Sequence, residues 1–392
     1  MAVRHGYGKI AGADALVFAY DTGDTVNSYK GEPTVNITPN HYLDWGTLSG
    51  TKTLNAIEDS DGVLEGMKLT GTANTQVRTE FTAALPSSET QYTFSVEGKR
   101  GSTPYIGLLT YLRPYPSPWL VYNVDTGQLS GGGTIAHGVE PVKNGWYRIW
   151  MTVTIRPDQI NNIFKVVQTN SQTSATAGNI GGFVYYAKAQ LEVKPHLTQF
   201  TEGTRSTTEG LKDLTGNSVI NISNVSFDSN AQITFDGTDD AMENIQVQSS
   251  SAMTWEAVAY PEDLSSNVFY NEFNPRISLR YYQINLYHTK PNRLGDVGFT
   301  YSFQTGSYYH IAVTYDTDNG YKGYVNGEEQ TRTITNNGAA GKPEFMSTRI
   351  GRSAGSEGYF EGDIPVAKIY NRALTAGEVK NNYSHYKNRF GI

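Results

Sequence analysis

The ten residues WYRIWMTVTI (146–155) limit the fold more than any other stretch. Tyr147, Ile149, Met151, Val153 and Ile155 fall on one side of an extended chain, with Arg148, Thr152 and Thr154 on the other. A period of two marks an antiparallel strand with one face in a core. Strand-like runs recur along the chain, separated by Gly, Asn, Asp and Ser clusters. One group comprises QYTFSVEG (91–98), NIFKVVQT (162–169) and FVYYAKAQLEV (183–193). A second comprises AQITFDG (231–237), MTWEAVAY (253–260), YHIAVTYD (309–316), GYKGYVNG (320–327) and DIPVAKIYN (363–371). Asn326-Gly327 supplies the positive φ angles that a type I′ hairpin turn demands. One helix is predicted, at the C-terminus. Thr375 caps it, Glu378 stands in capping-box position, and Val379, Tyr383 and Tyr386 recur at helical spacing. The fold class is therefore all-β with a short C-terminal helix, without a solenoid repeat or a heptad seam.

The stretch ALVFAYDTGDTVNSYKGEPTVN (15–36) poses a separate problem. Leu16 to Tyr20 form one apolar strand with no partner run nearby, so the partner must lie far along the chain. Between the two strand groups, PHLTQFTEGTRSTTEGLKD (195–213) is polar and marks a boundary near 200–210. Gly31, Pro33 and Pro39 mark another near 31–36.

At 392 residues the chain has room for two or three domains. Its 27 tyrosines, 40 glycines and 18% charged residues suit sandwiches with many turns better than helical bundles. A formal net charge of −7 without a basic run argues against nucleic acid and anionic lipid as partners. There is no cysteine, hence no disulfide, thiolate nucleophile or Cys-based metal site, which fits synthesis in a reducing cytoplasm. The first residues, MAVRHGYGKIAG, lack the apolar core of a signal peptide, and no apolar run is long enough to span a bilayer.

Several stretches of the C-terminal part resemble the laminin-G-like or concanavalin A-like jelly roll of bacteriophage virion structural proteins. They are DLTGN (213–217), ITFDGTDDAME (233–243), YYHIAVTYDTDNGYKGYVNGEEQ (308–330), RIGRS (349–353) and GYFEGDIPVAKIYNRALTAGEVKNNY (358–383). Tyr309 stands where that family often has Trp. Residues 15–29 are similar to the family's N-terminal strand, which usually runs directly into its DLSGN motif. Here the motif follows roughly 180 residues later, the size of an inserted domain. The intervening residues are similar to carbohydrate-binding-module-like sandwiches, on EPTVNITPNHYLDWGTLSG, YTFSVEGKRG, NGWYRIWMTVT and YYAKAQLEVKPHLTQFTEGTRS.

The resemblance implies two nested antiparallel β-sandwiches (jelly rolls). Residues 1–14 would form an arm, 15–31 plus 206–392 a discontinuous jelly roll, and 32–205 the insert. The other organisation is three consecutive units, which would leave the edge of ALVFAYD exposed. The resemblance also implies a non-enzymatic protein on the virion exterior, made in the host bacterial cytoplasm, with other virion proteins and host-surface polysaccharide as partners. Its role would be adhesion as a fibre, tail accessory or head decoration; the alternatives are a purely structural decoration and, third, a glycan depolymerase. Fibres of this kind are often trimers, so a homo-oligomer is an open expectation.

Chemistry on the chain is sparse. A Glu-x-Asp-x-x-Glu pattern, which would place two carboxylates for glycoside hydrolysis, is missing. Glu361 and Asp363 come nearest, in a strand entry. The seven histidines form no zinc pattern, and His310 reads as a solvent-facing or core-edge residue. No cofactor is required. Asp236, Asp239 and Asp240, around Gly237, are candidate calcium ligands; the same pattern also suits an Asx-rich turn. Asp316 and Asp318 read as a hairpin turn. Sugar rings stack on flat aromatic side chains, and two stretches are dense in them. YLRPYPSPWLVYN (111–123) carries Tyr111, Arg113, Tyr115, Trp119 and Tyr122, which its three prolines would hold on a stiff loop. RYYQINLYH (280–288) carries Tyr281, Tyr282 and Tyr287. The first is also readable as a protein contact surface and the second as an ordinary aromatic-rich strand.

Overall fold

The computed structural model describes residues 11–39, 42–227, 233–248, 250–264, 267–271, 276–280, 283–287, 297–333, 346–352 and 358–392. The chain forms two compact units, one of Met1–Pro33 with Arg205–Ile392 and the other of Thr34–Thr204. Both consist of antiparallel sheets.

In the discontinuous unit, the expected distant partner of the opening strand is the strand Glu361–Tyr370. Leu16–Asp21 runs antiparallel to it, with Tyr20 opposite Ala367 and Leu16 opposite Tyr370. Glu361–Tyr370 in turn pairs with Ala252–Pro261, which pairs with Tyr309–Asp316 and then Gly320–Val325. A second sheet runs through Ala241–Val247, Met346–Ile350, Asn267–Asn271, Arg276–Arg280 and Gln283–Tyr287. Alternate residues of both sheets meet in one core that includes Phe18, Tyr20, Trp255, Ile311, Val313 and Ile369.

The other edge of Leu16–Asp21 is closed by DLTGN. Asp213 Oδ1 accepts from Ala19 N at 2.9 Å, and Leu214 N donates to Ala19 O at 2.7 Å. Thr215 Oγ1 and Asn217 Nδ2 both donate to Val17 O at 3.1 Å. An edge strand that would otherwise template aggregation is thus covered by its own unit.

The helix Ala376–Phe390 has the expected capping box between Thr375 and Glu378 and ends at Gly391 in the left-handed region. Its buried residues are Val379, Asn382 and Tyr386. Asn382 occupies the stripe that spacing assigned to Tyr383, because it has a polar target beneath it. The helix covers the outward face of the first sheet, where Glu256, His310, Lys368 and Tyr370 are all at most 1% exposed. Glu256 Oε1 lies 3.0 Å from Lys368 Nζ and 3.4 Å from His310 Nε2. Glu256 Oε2 accepts from Asn382 Nδ2 at 2.7 Å and from Tyr370 OH at 3.1 Å. His310 is therefore not solvent-facing: its strand alternation points it outward, and the helix closes over it. The Asn326-Gly327 turn has both φ angles positive, 49° and 77°. Of the arm expected over 1–14, residues 1–10 lie outside the described ones; Ala11 N donates to Asn382 Oδ1 at 2.9 Å.

In the continuous unit, one sheet contains Ala136–Pro141, Trp146–Ile155, Thr90–Lys99, Phe183–Glu192, Leu64–Gly71 and Gly50–Glu58. The other contains Gln128–Gly132, Trp119–Asn123, Tyr105–Tyr111, Ile163–Gln168, Val77–Thr82 and Gly46–Leu48. Ile149, Met151, Val153 and Ile155 enter the core with Phe94, Phe81 and Phe164, as their alternation requires, and Tyr147 packs against it. The outward face of Phe183–Glu192 is not open. Glu192 accepts from Thr34 Oγ1 at 2.9 Å and from Thr198 Oγ1 at 2.6 Å, and Asn36 Nδ2 donates to Ala189 O and Thr201 O. These side chains fasten the incoming and outgoing segments, which meet where Asn36 N donates to Gly203 O at 2.9 Å.

Candidate functional site

The aromatic stretch 111–123 is built differently from the stiff loop its prolines suggested. Tyr111 ends the strand Tyr105–Tyr111, and Trp119 begins the strand Trp119–Asn123. Only 112–118 form a connection, with a cis Arg113–Pro114 peptide bond. Strand alternation then sorts the aromatics by face. Trp119 and Tyr122 are three positions apart and point oppositely. Tyr122 is 6% exposed and lies in the core, 5.1 Å from the Tyr147 ring, so it offers no contact surface. Burial raises its phenol. Trp119 is half-buried on the outer face, against Leu109, Val121 and Val167.

Register builds a row across that outer face. Trp119 stands opposite Leu109, Leu109 opposite Lys165, and Lys165 opposite Glu80. On its other side Trp119 faces Gly132. A Cβ at Gly132 would lie 3.9 Å from the indole nitrogen, so the missing side chain leaves that flank of the ring bare. Tyr111 lies two residues along its strand from Leu109, on the same face. The Arg113 guanidinium is 4.7 Å and the Lys165 ammonium 4.8 Å from its ring centroid. Lys165 is 4% exposed and lies 3.5 Å from Glu80, which also pairs with Arg78. Burial pushes the Lys165 ammonium down, the Arg78 charge adds to this, and Glu80 opposes it.

Tyr115 sits apart on the connection. Its hydroxyl donates to Asp158 Oδ2 at 2.8 Å, which raises the phenol, and Arg156 lies 4.6 Å from its ring. The face therefore unites Tyr111, Arg113 and Trp119, leaves Tyr115 on the connection with Asp158 and Arg156, and excludes Tyr122. Lys165, Glu80 and Arg78 were not singled out from sequence. Their signal is the alternation in FKV and VRTEF, where each charged residue stands between inward-facing residues.

Of the second stretch, Tyr281 and Tyr282 lie outside the described residues. The Tyr287 backbone pairs with Arg276 in a hairpin.

The three aspartates are close in space. One carboxylate oxygen from each of Asp236, Asp239 and Asp240 lies within 4.8 Å of the others. Turn amides already use part of this capacity: Asp236 Oδ1 accepts from Thr238 N, and Asp240 Oδ2 from Asp236 N. Burial, with Asp236 and Asp239 nearby, pushes Asp240 up to about 6 against that amide bond. Asp316 Oδ1 accepts from Asp318 N and Asn319 N, a hairpin turn as expected. Glu361 is exposed, and Asp363 is held by Thr234 Oγ1 at 2.7 Å and Tyr308 OH at 3.1 Å. The discontinuous unit also has a groove of about 550 Å³ lined by Asn217, Gln246, Gln248 and Asn371. A shallower one of about 450 Å³ is lined by Tyr260, Tyr308, Asn326 and Phe390.

Residues 215–380 match the family model described as the concanavalin A-like lectin/glucanases superfamily. Over those residues the discontinuous unit is similar to concanavalin A-like lectins. Solved structures found similar to the chain include a native heptameric SAP-like pentraxin from Limulus polyphemus, 15% identical, covering 38% of this chain and 79% of that one, with a TM-score of 0.31. The binding domain of botulinum neurotoxin serotype D is 15% identical over 46% of this chain and 49% of its own, with a TM-score of 0.37. Domain 4 of an extracellular arabinanase from Geobacillus stearothermophilus, in complex with arabinotriose, is 19% identical over 45% and 93%, with a TM-score of 0.34. No curated protein matches the chain.

Proposed function

We propose that the chain is a non-enzymatic surface protein of a bacteriophage particle that contacts host-surface glycans, as a fibre, tail accessory or head decoration. In this reading residues 32–205 are a carbohydrate-binding-module-like sandwich inserted into the lectin-like unit. The observation that carries it is Trp119, an indole on an outer sheet face with a bare glycine at its flank. An aromatic face beside hydrogen-bonding side chains is what a sugar ring needs. The lectin-like fold of the other unit supports the same class of ligand, and the motifs of residues 15–29 and 358–383 support the virion setting. A binding role without catalysis is supported by Asp363, whose carboxylate is engaged by Thr234 and Tyr308.

Trp119→Ala tests the reading. Binding of the purified protein to host-cell polysaccharide should fall roughly five- to 150-fold, taking the loss as on the order of 1–3 kcal/mol, the worth of a base stacked on one aromatic ring. Near-UV circular dichroism outside the indole contribution should be unchanged. Undiminished binding removes Trp119 from the site. A second reading, contact with other virion proteins, is favoured by exposed Arg113 beside Ile160, which is 76% exposed. Co-assembly with virion proteins without any glycan binding would select it.

A further inference from the structure

We infer that the Trp119 face takes an acidic saccharide, one whose sugar rings carry carboxylates. This rests on the glycan reading of the same face and assigns its ligand class. The argument is a local charge imbalance. The chain as a whole carries a formal charge of −7, yet this face gathers Arg78, Arg113 and Lys165 around one carboxylate, Glu80. Arg78 and Lys165 share that carboxylate between them. Arg113 makes no ion pair among the described residues; its guanidinium rests 4.7 Å from the Tyr111 centroid. Of the carboxylates on nearby connections, Glu89 is paired with Arg156; Asp158 accepts from the Tyr115 hydroxyl and keeps its charge, so the cations Arg78, Arg113, Lys165 and Arg156 stand against the carboxylates Glu80, Glu89 and Asp158, an excess of one cation.

Burial strengthens the effect. Lys165 is 4% exposed, so its charge is less screened than that of a surface lysine. Its ammonium is pushed down by lost hydration and by Arg78, and an approaching anion would relieve both. Geometry assigns the roles. From Trp119 to Lys165 is two strand spacings, about 10 Å. A ring stacked on Trp119 whose chain runs across Leu109 toward Tyr111, away from the Gly132 side, would bring a neighbouring carboxylate to the Arg113 fork. Lys165 and Arg78 set the field from beneath. Arg113 can bind that group bidentately, which an isolated ammonium cannot.

The test uses the full-length protein with trigalacturonate and its carboxyl-reduced, neutral counterpart, by calorimetry at low and at physiological salt. The acidic sugar should bind at least about tenfold more tightly, and added salt should narrow the gap. Arg113→Ala, an exposed change, should remove about tenfold from the acid alone, and Arg113→Lys should restore part of it. Lys165→Met should act the same way if it folds; Arg113→Ala decides the matter if it does not. Equal affinity for the two sugars overturns the charge assignment and leaves the glycan reading standing. Binding of neither overturns both.

Discussion

Glu256→Gln should be among the most damaging single changes in the discontinuous unit. Gln keeps the shape of the side chain and removes its charge. Lys368, 1% exposed, then keeps a buried ammonium whose ion pair at 3.0 Å is gone. Breaking one side of a buried pair costs roughly 3–5 kcal/mol. The amide must also present oxygen to both Lys368 and Asn382 Nδ2, so its own NH2 meets a donor on one side. Against a typical domain stability of about 5–15 kcal/mol, such a loss is visible in any denaturation curve. Because the two units can unfold separately, the assay is urea unfolding read by hydrogen exchange at amides 254–258 and 366–370. Removing the stranded ammonium as well, Glu256→Gln with Lys368→Met, leaves the amide oxygen to accept from Asn382 and Tyr370 and should recover at least about 2 kcal/mol over Glu256→Gln. The pH dependence adds a second readout. Burial alone would raise the Glu256 carboxyl, but Lys368 and His310 outweigh it and hold it well below the usual range. A depressed folded value means the stabilisation is complete above about pH 4.3 and is lost as pH falls through that folded value. Glu256→Gln should lack this acid-dependent component. Glu256→Gln within about 1 kcal/mol of wild type, or a double variant no better than the single, would refute the reasoning.

Three further outcomes are expected. Asp213→Ala should orphan the buried amide of Ala19 and loosen the turn at Thr215 and Ser218, costing about 1–3 kcal/mol for the amide; faster exchange at Ala19 and greater aggregation are the readouts, and unchanged exchange contradicts the edge-closing role. Asp240, pushed up to about 6, binds a proton more tightly folded than unfolded, so stability should fall as pH rises from about 4 to about 6 and Asp240→Asn should abolish that slope; a calcium ion held by Asp236, Asp239 and Asp240 would reverse the penalty, and a melting temperature unmoved by calcium at pH 7 removes the ion from the account. Excising 34–204 and joining 33 to 205 by a short Gly/Ser turn should leave one cooperative unit, because Gly31 N already donates to Gly210 O at 3.2 Å and Lys30 N to the same oxygen at 2.9 Å; a non-cooperative transition at Trp255, the only tryptophan outside the excised segment, would sink the nested organisation.

What the sequence made legible was local. The alternation of WYRIWMTVTI, the Asn326-Gly327 turn and the Thr375/Glu378 capping box each depend on a few neighbouring residues, and each appears where the pattern places it. The candidate site was only half legible. Phase along a strand separates Trp119 from Tyr122, but three prolines before Trp119 hid the strand and with it the phase. Register was beyond reach, because Lys165 comes beside Leu109 only when Ile163–Gln168 pairs with Tyr105–Tyr111, some fifty residues away. His310 and Asn382 show the same limit from inside the fold. Alternation correctly sends His310 away from the sandwich core, and helical spacing correctly draws a stripe through Val379 and Tyr386. Neither pattern says that the two surfaces meet, so a histidine on an outward face reads as solvated and an asparagine in the stripe reads as an interruption. Once the helix covers the sheet, both are enclosed around Glu256, and the asparagine becomes the residue that satisfies the buried carboxylate. Polar residues at such positions therefore reveal an outer layer on the sheet that the apolar pattern alone leaves invisible.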